Sequence, residues 1–190
     1  MTQGVTPVRA FVALEIPEAV RTALASSLDD IRGDLPQARW TRPAGWHLTL
    51  KVLGEVDRPT LDRLTEELSV RAGGGPSVTV RLGSSGFFPR PTRARVAWVG
   101  GEAPNAPATA AAVPQAARSV GFARERRPWS LHLTVARLRS PWPEPAVSAF
   151  LDWGRRLEIG AFVCREVVLF ESDLRPVGAV YTALERFLLQ

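Results

Sequence analysis

The 190-residue chain holds two histidines, and each opens the same phrase: His47-Leu48-Thr49-Leu50 and His132-Leu133-Thr134-Val135. Side chains alternate across a strand, so His47 and Thr49 would share one face while Leu48 and Leu50 back them with a hydrophobic layer. His132 and Thr134 would share a face in the same way, opposite Leu133 and Val135. An unperturbed imidazole titrates at about pH 6.5, so near neutrality one ring of a pair can be charged and the other not. At a shared phosphorus the neutral ring can take a proton from attacking water, and the charged ring can give one to the leaving oxygen. The threonine hydroxyls can donate to the non-bridging oxygens, where charge builds in the transition state. Acid–base cleavage of this kind calls for no metal. Two histidines, the single Cys164 and the lack of HExxH spacing argue against a zinc site. One His-x-Thr on a strand is more often structural. Two copies that use every histidine of the chain favour catalysis.

The surrounding elements must carry both phrases. Strands are predicted over 8–16, 46–53, 78–82, 95–99, 129–136, 163–170 and 179–187, from aliphatic and β-branched runs. Pro17 suits a first helical turn, and Val20, Leu24, Leu28 and Ile31 follow at helical spacing. Leu61, Leu64 and Leu68 mark a second helix that ends at Gly73-Gly74-Gly75. Residues 107–120 form an alanine-rich helical segment interrupted by Pro114, and 145–157 a fourth helix. The order of elements repeats. His132 lies 132 − 47 = 85 residues beyond His47, Val96 lies 85 beyond Phe11, and Val163 lies 85 beyond Val78. A constant offset predicts a duplication, with copies over roughly 8–88 and 94–172. The expected fold is α+β: one bilobal domain of two pseudo-symmetric lobes, each an antiparallel sheet with helices on its outer side. The cleft between the lobes would be the active site.

Composition sets the class. Hydrophobic residues make up 45% of the chain, enough for a packed interior. No apolar run approaches a membrane span. The opening MTQGVTPVRA lacks the charged and apolar regions of a secretory leader, and one cysteine forms no internal disulfide, so a cytoplasmic protein is expected. The net charge of +5 is carried almost wholly by arginine, Lys51 being the only lysine, which suits a polyanion such as RNA. Gly73-Gly74-Gly75 is followed by Pro76 and reads as a linker, so a phosphate loop with a lysine-centred nucleotidyl-transfer site is not supported.

The sequence resembles the two-histidine phosphoesterases, whose signature is a pair of His-x-Thr/Ser-x motifs. Within them it is similar to the RNA 2′,3′-cyclic phosphodiesterases, also called 2′-5′ RNA ligases. The resemblance runs through Arg9-Ala10-Phe11-Val12-Ala13, 47–55, Phe87-Phe88-Pro89 and 96–100. It continues through 132–137 and Leu169-Phe170-Glu171-Ser172 to the late Gly178 and Tyr181. It implies opening of 2′,3′-cyclic phosphate ends of RNA, tRNA fragments included, to 2′-phosphates. No cofactor, membrane or obligatory protein partner is implied, and a monomer is the default. It also implies roles: His47 the proton donor to the departing 3′-oxygen, His132 the acceptor that activates water, and Thr49, Thr134 and Arg137 the phosphate binders. The symmetry of the two motifs does not itself distinguish donor from acceptor. One departure is Leu131, which stands where relatives often have proline.

Strand parity makes two residues awkward. Arg137 is five positions past His132 and would face away from the cleft in a regular strand, so the strand must end or bulge before it, or Arg137 serves another surface. Lys51 falls on the His47 face by parity, although a solvated lysine at a strand end fits as well. Phe11 and Phe87, with Phe88, are candidates to stack on a terminal base, while Trp40, Trp46 and Trp98 read as core. Arg90, Arg93 and Arg95 form a basic cluster for the RNA backbone or a solvated strand edge. The stretch from Ala103 to Pro114 reads as a surface loop. Other functions open to the same residues are ATP-independent 2′-5′ ligation, RNA-end binding without catalysis, and action on a small cyclic nucleotide or an ADP-ribose-type phosphate.

Overall fold

The computed structural model describes residues 7–176 and 178–190. The leader reading made on the first residues therefore lies largely outside the described part. Among the described residues, nine strands and four α-helices follow in the order β1 (Val8–Glu15), α1 (Glu18–Arg32), β2 (Arg39–Trp40), β3 (His47–Val56), α2 (Arg58–Arg71), β4 (Val78–Phe88), β5 (Val96–Glu102), α3 (Pro107–Ser119), β6 (His132–Arg137), α4 (Glu144–Arg155), β7 (Phe162–Cys164), β8 (Glu166–Arg175) and β9 (Gly178–Leu188). The strands form two antiparallel sheets, one ordered β3-β1-β8-β9 and the other β2-β6-β5-β4-β7. The α+β class and the two-sheet architecture are as expected.

Periodicity explains the layers. On β1, Ala10, Val12 and Leu14 enter the main core, while Phe11 and Ala13 join Val168 and Phe170 in a small cluster on the opposite face. β8 alternates the same way, with Val167 and Leu169 in the main core. α1 buries Val20, Leu24 and Leu28, and α2 buries Leu61, Leu64 and Leu68. The α2 N-terminus is capped by the Asp57 carboxylate, which accepts from the Thr60 amide at 2.8 Å, with Pro59 in the first turn. α4 lies on β4: the Ser85 hydroxyl donates to the Phe150 carbonyl at 2.8 Å, and a methyl on Gly154 would collide with the Ser85 side chain.

Four expectations are corrected. The third strand of each predicted copy lies in the sheet of the other copy: β4 pairs with β5, and β8 pairs with β1. The 163–170 run is two strands, β7 on β4 and β8 on β1. By pairing, Phe170 opposes Phe11 as Phe88 opposes Val96, so the third strands are offset by 170 − 88 = 82 residues rather than 85. The stretch from Ala103 to Pro114 is no surface loop beyond Ala106. Helix α3 begins at Pro107 and runs through Pro114, and it buries Thr109, Ala110, Val113, Ala116 and Ala117.

The two phrase-bearing strands share one register. Glu15, Leu14, Ala13 and Val12 of β1 oppose His47, Leu48, Thr49 and Lys51, so Leu50 is an extra residue. Gly100, Val99, Trp98 and Ala97 of β5 oppose His132, Leu133, Thr134 and Ala136, so Val135 is extra. Each partner is displaced by 85, and so is each bulge. A one-residue bulge inverts the side-chain alternation beyond it. That resolves both parity problems. Arg137 returns to the face of His132 and Thr134, while Lys51 turns away from His47 into the packed layer, where it is only 8% exposed.

Candidate active site

A cavity of about 680 Å³ opens between the sheets. His47 and Thr49 of β3 line it together with His132, Thr134 and Arg137 of β6. Phe11, Tyr181 and the β8–β9 ends close one side, and Arg39, Trp40 and Arg42 the other. Both histidines and both threonines therefore face one space, at the mouths of paired strands whose opposite faces are anchored in the core.

Each imidazole is oriented by the carbonyl two residues before it, just ahead of its strand. His47 Nδ1 lies 2.8 Å from the Gly45 carbonyl, and His132 Nδ1 lies 2.9 Å from the Ser130 carbonyl. A carbonyl only accepts, so each Nδ1 carries a proton and donates it. That bond fixes the tautomer and leaves Nε2 as the nitrogen free for proton transfer. Gly45 and Ser130 are themselves 85 residues apart.

The surroundings of the two rings differ. His47 sits among Phe11 (ring centroids 4.6 Å apart), Tyr181 (5.2 Å, edge-on) and Phe170 (6.2 Å). Burial in this cage lowers its pKa from 6.5 to about 4, since the charged ring loses water; His132 adds a smaller push in the same direction, and the Gly45 carbonyl opposes both. His132 has Phe88 edge-on at 5.1 Å, and Phe88 is 37% exposed.

Several predicted residues are placed otherwise. Phe87 is buried against Trp142 (5.7 Å) and Phe150 (5.3 Å) on the helix side of β4, and it does not line the cavity. One residue of alternation separates it from Phe88 and sends it to the core. Phe11 does line the cavity, but it is 6% exposed and stacks on Phe170 at 5.2 Å, so it forms a wall beside His47. Lys51 donates to Glu125 Oε1 at 2.6 Å and to the Ala123 carbonyl at 3.2 Å. Trp40 packs against the core, as read, and also lines the cavity, whereas Arg90, Arg93 and Arg95 do not line it. The cavity arginines are Arg9, Arg39, Arg42, Arg137 and Arg175. Arg9 was legible, because it shares the odd-numbered face of β1 with Phe11. Arg39 and Arg42 lie around a two-residue strand that leaves no periodic signal.

The sequence and fold have known relatives. The model of a family described as LigT-like phosphoesterase matches residues 14–98, which include His47 and Thr49. An RNA 2′,3′-cyclic phosphodiesterase of Thermus thermophilus is 32% identical over 197 residues, spanning 96% of this chain and 90% of the relative. This chain belongs to the LigT-like phosphoesterase family. A second such relative, an RNA 2′,3′-cyclic phosphodiesterase of Archaeoglobus fulgidus, is 30% identical over 188 residues, spanning 94% of this chain and 99% of the relative. Among solved structures, a Thermus thermophilus protein superposes with a TM-score of 0.78 at 26% identity, over 95% of this chain and 97% of that one. Among the described residues, no helix is long and apolar enough to cross a membrane.

Proposed function

We propose that this chain hydrolyses 2′,3′-cyclic phosphate ends of RNA to 2′-phosphates by paired histidine acid–base catalysis, without a metal. The observation that carries the reading is one cavity lined by both His-x-Thr motifs and ringed by arginine. The names of the relatives support the substrate class. Arginine and threonine suit a phosphodiester anion: guanidinium forks bind its oxygens, and hydroxyls donate to them.

In the proposed step, a water oxygen attacks phosphorus and gives its proton to Nε2 of His132. The bond from phosphorus to the 3′-oxygen breaks, and that oxygen takes the proton on Nε2 of His47. The product is a 2′-phosphate monoester beside a 3′-hydroxyl. A donor must be charged, whereas burial holds His47 neutral in the free protein. The bound phosphate reconciles the two, since an anion against the ring favours its protonated form. Binding and proton uptake are then coupled at His47.

The test is an oligonucleotide ending in a 2′,3′-cyclic phosphate, incubated in excess EDTA and followed by phosphorus NMR. Conversion to a 2′-phosphomonoester is expected. No turnover, or a 3′-phosphate product, refutes the proposal.

A further inference from the structure

Two hydrogen bonds cross between the sheets at the motifs themselves. The Trp129 indole N–H, three residues before His132, donates to the Thr49 carbonyl at 2.8 Å. Thr49 is the threonine of the other motif, on β3, which is the edge strand of its sheet. In the opposite direction, the Trp46 indole N–H, one residue before His47, donates to Thr41 Oγ1 at 2.7 Å. The Thr41 hydroxyl in turn lies 2.8 Å from the Thr134 carbonyl, and the Thr41 amide donates to the Val135 carbonyl at 2.9 Å. The carbonyls of Thr49 and Thr134 are thus each tied to a tryptophan standing just ahead of the other histidine.

Lys51 adds a second tie on the Trp129 side. The bulge at Leu50 turns this lone lysine inward, where its ammonium meets Glu125 and the Ala123 carbonyl. Glu125 and Trp129 belong to one segment, the connection from α3 into β6. That connection is fastened to β3 at two points, and it ends at His132.

We infer that Trp129 and Lys51 are positioning residues, which set the separation of the two imidazoles by fastening the segment that enters His132 to the strand that begins with His47. The inference rests on the proposed two-histidine mechanism. Neither residue lines the cavity. Their effect belongs to the step in which both rings must meet one phosphorus, while ground-state affinity comes from the arginines and threonines. Misplacement of reacting groups by about 1 Å costs up to roughly a hundredfold in rate.

The test is steady-state kinetics of Trp129→Phe and Lys51→Met on a 2′,3′-cyclic-ended dinucleotide, with Lys51→Arg as the rescue variant. Trp129→Phe removes one N–H and keeps the aromatic volume. Lys51→Met leaves no stranded buried charge, because Glu125 is 48% exposed. In both variants kcat is expected to fall at least about tenfold, with KM within about twofold of the wild type. Lys51→Arg recovers part of the loss. Wild-type kcat in a folded variant of either residue overturns its assignment, as does a rise in KM with kcat kept. If the wild type itself fails to turn over the substrate while folded, the mechanism fails and not the fastening.

Discussion

The cage around His47 makes the protein acid-sensitive in a way that one substitution removes. In the unfolded chain this histidine protonates at its ordinary pKa of 6.5, but in the folded protein only at about 4. Between those values the unfolded state holds more protons, so stability is fully present above pH 6.5 and is lost as pH falls toward 4. The full gap corresponds to about 3 kcal/mol at roughly 1.4 kcal/mol per pH unit. Because part of the ring opens to the cleft, we expect about 2 kcal/mol. The assay is urea unfolding followed by tryptophan fluorescence at pH 7.5 and pH 4.5, for the wild type and His47→Gln. The wild type loses about 2 kcal/mol more than the variant over this interval. Inorganic phosphate narrows the wild-type loss, since the anion favours the charged ring that acid produces. Equal acid sensitivity in the two proteins would refute the caged-histidine reasoning.

Two other substitutions separate the phosphate binder from the core. Arg137→Met removes a guanidinium that the Val135 bulge turns into the cavity. KM for a cyclic-phosphate end should rise by roughly tenfold or more, since a hydrogen bond to a charged group is worth about 1.5–3 kcal/mol; an unchanged KM would place Arg137 outside the phosphate site. Phe87→Ala should cost about 3–5 kcal/mol of stability, measured by urea unfolding, because it empties space between Trp142 and Phe150. KM of the folded fraction should stay unchanged, whereas a weakened KM with full stability would restore Phe87 as a base platform.

The paired phrase was readable because alternation of Leu48 and Leu50, and of Leu133 and Val135, put imidazole and hydroxyl on one face in each strand. The bulges were not readable from the same letters. A regular strand satisfies His-Leu-Thr-Leu equally well, and only the next residues differ: buried Lys51 before exposed Val52, and buried Ala136 before exposed Arg137. The exchange of β4 and β8 between sheets is a long-range pairing, and local periodicity carries no information on which sheet a strand joins. The Val163–Phe170 run hid a change of sheet for a related reason, since β7 and β8 are separated only by Arg165. Phe87 and Phe88 stood side by side as candidates until the register of β4 against β5 assigned one to each face.

The claim that both rings act on one phosphorus is tested most directly by a double-mutant cycle in kcat/KM on a 2′,3′-cyclic-ended RNA, with His47→Ala, His132→Ala and the pair. General acid or base catalysis by one group contributes about a hundred- to ten-thousandfold, so each single variant should lose at least that much. Groups that act as a unit are strongly non-additive, and the double variant should be little worse than the poorer single one. Losses that multiply, or substantial activity in either single variant, would contradict a shared phosphate between His47 and His132.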